Sequence, residues 1–339
     1  MINHKIFVKG LKSNLGVRSP TVSLAACFIA LGALLKDAGF NLQQSTASSF
    51  FTYALPGQLV MAESLLIGTS LINIFIAVWL VNFRLYPMTV SLFPLLKHKS
   101  QPKWKYYLSS HFLAVSSWLV AKDGYRKIDK KYRIDYWIGI GIGTWSTAVL
   151  MTILGYILAD YLNKDMMIGL AIVNPVYFFC MMIGAMRNLS ISIAVIGGTI
   201  LGPIVYLYST EWAILYAGLI AELLLFYLEV KMDPNNIIIY AIIVTSLATF
   251  ISRLFGAITS EKVSVKSKAF QWFNCVAYST LAALLGRMIV FPAGVLADSS
   301  LIIRVVVLII CISVFIFSKK NLVIPTILSA MLLSFFNSI

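Results

Sequence analysis

Apolar residues run along this chain in long blocks, separated by short connectors rich in Lys and Arg. Blocks at 19–36, 45–66, 67–84, 134–161, 166–186, 190–209, 211–230, 235–257, 270–297, 300–317 and 322–337 approach the roughly 20 residues that an α-helix needs to cross a bilayer. Two further stretches, 86–96 and 106–121, are too short to cross alone. The second has basic connectors on both sides, which favours a re-entrant or hairpin element that returns to the face it left. The pattern predicts an all-α, polytopic membrane helical bundle of roughly 11–12 membrane segments, some of them discontinuous.

Composition agrees with the pattern. Of 339 residues, 60% are hydrophobic and only 12% charged, about half the charged share of a soluble domain. The net charge of +14 would suit nucleic acid, but its distribution does not. The cations gather at Lys5, Lys9, Lys12 and Arg18 and in the connectors 97–105 and 122–133, which is the positive-inside pattern of a membrane protein. The basic N-terminus favours a cytoplasmic start, whereas 260–268 and 318–321 leave the topology of the last hundred residues open. The first 18 residues are too basic for a cleavable signal peptide. Cys27, Cys180, Cys275 and Cys311 lie singly in apolar runs, and His4, His98 and His111 are too scattered for a metal site. No cofactor motif and no hydrolase or nucleotide-binding signature is present.

The chemistry expected of the chain sits where polar residues interrupt apolar runs. In FFTYALPGQLVMAESLL, residues 50–66, Pro56 deprives the Thr52 carbonyl of its helical partner and Gly57 loosens the backbone further. The half-helix beginning near Gly57 offers free N–H groups and a positive dipole end to a carboxylate, and Gln58 adds an amide beside it. The alternative is a packing kink with Gln58 bonded to a neighbouring helix. Glu63 returns to the same face two turns on and is a candidate proton carrier, or else a residue at the membrane surface. Arg84, after Asn82, could take Glu63 or a substrate carboxylate, or snorkel from the end of a span. Asn174-Pro175 is a second break, and Glu222, Arg253 and Arg287 suit either function or an interhelical ion pair. The breaks at 56–57 and 174–175 suggest an inverted repeat. The glycines at 139–143 and 198–202 fit close helix packing. The polar segment KMDPNN at 231–236 divides the chain into a unit at 1–232 and a smaller one at 233–339.

Residues 16–58, with NFRLYPMTVSL, HFLAVSSWLVAK, WSTAVLMTILG and the span around Asn174-Pro175, resemble the AzlC subunit of branched-chain amino acid exporters. LATFISRLFG and KKNLVIPTILSAMLLSFF resemble its small partner AzlD. The resemblance implies a fusion of two subunits that exports branched-chain amino acids, and sometimes methionine, across the bacterial inner membrane. It carries substrate roles onto Tyr53, Gln58 and Arg84. Two departures stand out: Leu55-Pro56-Gly57 replaces Ala-Ser or Gly-Ala-Ser before the glutamine, and Ala114-Val115-Ser116 replaces Thr-Asp-Glu, with Glu63 as a relocated carboxylate. The expected site comprises Tyr53, Pro56, Gly57, Gln58, Arg84, Ser116, Trp145, Asn174 and Phe178, with Phe179 beside them. Glu63, Glu222 and Arg253 serve proton coupling or an ion pair. The expected partners are an amino acid and membrane lipids, and a homo-oligomer is open. A non-transporting scaffold or a passive channel is the alternative function.

Overall fold

A computed structural model describes residues 3–14, 19–186, 189–208 and 234–338, and these are helical with no strand among them. In chain order the helices are α1 (His4–Lys12), α2 (Pro20–Asp37), α3 (Leu42–Phe51), α4 (Leu55–Leu66), α5 (Leu71–Asn82), α6 (Leu85–Leu96), α7 (Lys103–Ser109) and α8 (Val115–Gly124). They continue as α9 (Arg133–Leu158), α10 (Lys164–Ala171), α11 (Val173–Ala185), α12 (Leu189–Tyr208), α13 (Pro234–Thr259), α14 (Lys268–Val290), α15 (Leu301–Phe317) and α16 (Val323–Ser338). Among the described residues, six helical segments are long and apolar enough to cross a membrane, and a seventh forms if α5 and α6, bent by 47°, are one span. The protein is a multi-pass membrane protein.

The other apolar runs are shared among shorter helices. The run at 67–84 is not a span of its own: α5 stops at Asn82, and the stretch at 86–96 completes the bent pair. By contrast, the run at 166–186 falls within one of the six spans, Lys164–Ala185, in which α10 and α11 meet at Ile172. The run at 211–230, Glu222 within it, and the expected boundary at 232–233 lie outside the described residues.

Helix α9 is the spine, and α1 followed by α2 runs alongside it in the same direction. The Asn3 backbone N–H donates to Asp135 (3.1 Å), the Asn14 amide to the Ile140 carbonyl (3.0 Å), and Lys36 pairs with Asp160. These contacts fix two ends of the bundle. At the basic end, Gln101 donates to the Lys131 carbonyl (3.2 Å), Arg133 to the Leu95 carbonyl (2.9 Å), and Lys97 pairs with Glu261 (3.0 Å). The connectors 97–105, 122–133 and 260–268 therefore share one face. At the far end lie Lys36–Asp160, Lys164–Asp298 (2.9 Å) and the Asn337 amide on Asp165 (2.7 Å).

Two helical hairpins enter this frame from opposite ends. Helix α3 starts a few residues after α2 reaches the far end, and α4 returns there, because Leu66 and Asp37 both lie beside Gly294. The run at 45–66 is therefore a re-entrant hairpin rather than the crossing expected for it. Its 10- and 12-residue arms are each about 15–18 Å long, half of a hydrocarbon core. From the basic end, α7 enters and α8 leaves, joined by a tight turn at Ser110–Phe112. The hairpins meet tip to tip: His111 Nε2 donates to the Phe50 carbonyl (3.2 Å), and its ring lies 6.3 Å from that of Tyr53.

Helices α12 and α14 pack with backbones nearly touching. A Cβ on Gly198 would meet the Ser279 carbonyl, one on Gly202 the Ala283 carbonyl, and one on Gly286 the Thr199 carbonyl. Gly202→Leu should separate the two helices and destabilise the protein by about 1–3 kcal/mol, measured as a lowered unfolding midpoint in detergent.

Candidate functional site

The break in the first hairpin precedes Pro56. Helix α3 ends at Phe51, Tyr53 takes a left-handed φ of 45°, Ala54 is extended, and α4 begins at Leu55. A bulky residue adopts that φ only where its surroundings hold it there. The holding group is Arg253 of α13, which is fully buried. Its Nη1 donates to the Thr52 carbonyl (3.2 Å) and its Nη2 to the Tyr53 carbonyl (2.6 Å). The carbonyl that Pro56 leaves without a helical partner is thus satisfied by a cation about two hundred residues away in sequence.

Pro56 lies in the first turn of α4, where a missing N–H costs nothing. The first hydrogen bond into that helix runs from Gln58 N to the Ala54 carbonyl (3.0 Å), so the turn before it presents its N–H groups toward the tip. Gly57 gives α4 its close approach to α5, since a Cβ there would collide with the Asn82 amide.

At the tip is a cavity of ≈ 30 Å³, room for a water molecule or two. Leu24, Cys27 and Phe28 of α2 form one wall, Tyr53, Ala54 and Leu55 the hairpin tip, and Arg84 and Leu85 the bend between α5 and α6. Ala114, Val115 and Ser116 come from the opposing hairpin, and Tyr177 and Phe178 from α11. The structure thus brings together Tyr53, Arg84, Ser116 and Phe178 from the expected set. Arg84 is buried, stacks its guanidinium 4.8 Å from the Phe178 ring centroid, and has no hydrogen-bond partner on Nε or Nη1 among the described residues. A guanidinium kept from water with unused donors is costly on its own and suits an anionic ligand.

Other expected residues stand elsewhere. Gln58 is fully buried and donates to Ser48 (2.9 Å) and Ser49 (3.1 Å), so it ties α4 to α3 across the hairpin. Pro56 and Gly57 are packed into the first turn of α4 and are not in the cavity wall. Trp145 lies outside the cavity: its Nε1 donates to the Phe50 carbonyl (3.0 Å), bracing the C-terminal end of α3. Asn174 is fully buried with neither amide atom bonded among the described residues, and neither it nor Phe179 reaches the cavity. Cys27, Phe28 and Tyr177 were not expected. The first two are one turn apart from Leu24, an apolar helix face with no polar signal to single it out.

Glu63 pairs with Arg287 of α14, not with Arg84. The pair flanks a second cavity of ≈ 40 Å³, lined by Leu34, Asp37 and Ala38 of α2, by Leu59, Ala62, Glu63 and Leu66 of α4, and by Pro292, Ala293, Gly294 and Leu296. The same two helices line both cavities. The second lies about ten residues further along α2, about 15 Å nearer the far end. Arg287 also sits 5.1 Å from the Tyr206 ring centroid. Glu63→Gln leaves a half-buried guanidinium without its counter-charge and should destabilise the protein by about 1–3 kcal/mol; Glu63→Gln combined with Arg287→Met should recover much of that loss. Unfolding midpoints of the three variants measure the coupling.

A family model for AzlC protein matches residues 20–162, and one for branched-chain amino acid transport protein (AzlD) matches residues 238–336. No curated protein and no solved structure matches the chain.

Proposed function

This chain is an AzlC–AzlD fusion, built from branched-chain amino acid transport families and not from enzyme families, and from that premise we propose that it is a secondary transporter exporting branched-chain amino acids, methionine included, across the bacterial inner membrane. The observation that carries the reading is Arg84, buried at the meeting point of two re-entrant tips with two donors unused. The substrate carboxylate takes that guanidinium and the Leu55 N–H at the start of α4, and the aliphatic side chain packs on Leu24, Phe28, Leu85 and Phe178. The ≈ 30 Å³ cavity is smaller than such a side chain, so this is an occluded arrangement that widens to load. The units 1–232 and 233–339 both contribute, the second through Arg253.

The basic end faces the cytoplasm in this reading. Outward passage then follows α2 and α4 to the second cavity, and the Glu63–Arg287 pair closes that route. A zwitterion carries no net charge, so the membrane potential alone does not drive it. One proton carried in exchange on Glu63 gains ~2.3 kcal/mol per 100 mV, enough for a gradient of roughly fifty-fold.

Counterflow of labelled leucine, valine and methionine in proteoliposomes, with and without a pH gradient, tests the reading. All three should exchange, and a pH gradient should drive accumulation. Equilibration without accumulation would point to a channel, and no movement through folded protein would point to a scaffold.

A further inference from the structure

Among the described residues, the cavity at the two tips has one cation in its wall and no acid. Arg84 faces it with unused donors, and Arg253 lies directly behind the Tyr53 backbone, its guanidinium 5.7 Å from that ring's centroid. Two guanidinium groups therefore converge on the site. None of the described carboxylates lies in the cavity wall: Glu63 meets Arg287, Asp135 meets Asn3, Glu261 meets Lys97, Asp160 and Asp298 meet lysines and Asp165 meets Asn337 at the far end, and Asp37, Asp123 and Asp129 are exposed elsewhere. What remains among the described lining residues to meet the α-carbon substituent of a ligand is neutral: the hydroxyls of Tyr53, Ser116 and Tyr177 and the thiol of Cys27.

An amino acid placed here would satisfy its carboxylate but hold its ammonium against two like charges with no counter-ion. Outside water such a mismatch is strongly disfavoured. A ketone oxygen in the same position accepts a hydrogen bond from a hydroxyl and introduces no charge. A monoanion also offsets part of the positive charge that the two guanidinium groups bring to the site. We propose that this site binds apolar-tailed monocarboxylates without an α-ammonium, branched-chain 2-oxo acids in particular, more tightly than the corresponding amino acids. The inference rests on the reading that this cavity is the substrate site.

Competition in proteoliposomes of the full chain tests it. Unlabelled 4-methyl-2-oxopentanoate should displace labelled-leucine counterflow at a concentration about tenfold below that of unlabelled leucine, whereas isoamylamine, which keeps the tail and the ammonium, should displace nothing at that concentration. Efflux of the labelled 2-oxo acid should quicken when a potassium diffusion potential makes the lumen negative, because the solute then carries charge. Ser116→Asp, which sets a carboxylate into the wall, should reverse the order and favour leucine.

Leucine exchange that 4-methyl-2-oxopentanoate does not compete for would overturn the inference and leave amino acid transport standing. Exchange of neither compound would overturn both. A leucine preference that disappears in Glu222→Gln would show that a carboxylate outside the described residues serves the ammonium, and would also overturn it.

Discussion

Arg84→Ala is expected to lower labelled-leucine counterflow about a hundredfold, the largest functional effect of any single substitution in the cavity. The size follows from the contacts that the guanidinium is placed to make. Its Nε and Nη1 have no partner among the described residues, each shares an edge of the planar guanidinium with Nη2, and either edge matches the two oxygens of a carboxylate. Two charge-assisted hydrogen bonds at about 1.5 kcal/mol each give about 3 kcal/mol, or two orders of magnitude. Arg84→Lys keeps the charge but offers a point donor in place of the fork, and should retain about a tenth of the activity. Neither change should lower the unfolding midpoint much, since the wild-type group is buried with donors unpaired and its removal relieves that cost. Initial rates and unfolding curves measured together separate the two contributions. Wild-type rates in Arg84→Ala would remove the cavity from the transport path.

Arg253→Met is expected to have the largest effect on folding. It leaves the carbonyls of Thr52 and Tyr53 without their donors in a region closed to water, at about 1–3 kcal/mol each. It also removes two of the bonds that hold the turn with Tyr53 at its left-handed φ. The expected loss is about 2–5 kcal/mol, read as a marked fall in unfolding midpoint, with transport falling alongside although Arg84 is intact. Arg253→Lys replaces two fixed donors with one mobile ammonium and should fall between the two. A midpoint unchanged in Arg253→Met would mean that the tip needs no such anchor.

Much of this was legible in the sequence, and the limits have physical reasons. The membrane class follows from apolar run length, which is a property of single segments. The loss of a partner for the Thr52 carbonyl follows from Pro56 alone, and the structure shows that carbonyl bonded to a side chain. Which side chain could not be read, because the contact joins α3 to a helix far along the chain. Nor does run length say whether a chain crosses or turns back: 45–66 is long enough to span, yet Gln58 is bonded to Ser48 and Ser49, as only a hairpin allows. Trp145 was expected among the aromatic residues of the site, and Asn174 through the break at Asn174-Pro175. Either signal marks a buried polar or ring contact without saying to what, and Trp145 serves the Phe50 carbonyl instead. The absence of acids at Val115 and Ser116 was visible in the letters, but its consequence emerged only with both residues in the cavity wall.

The bond from Arg253 to the Thr52 and Tyr53 carbonyls also bears on why one polypeptide carries both parts. An anchor supplied by a separate subunit would have to be recruited, and its occupancy would depend on how much of each protein the cell makes. Joined covalently, the anchor arrives in a fixed one-to-one ratio, at an effective concentration in the millimolar range for a short linker. No copy of the first part need then wait, unbraced, for its second.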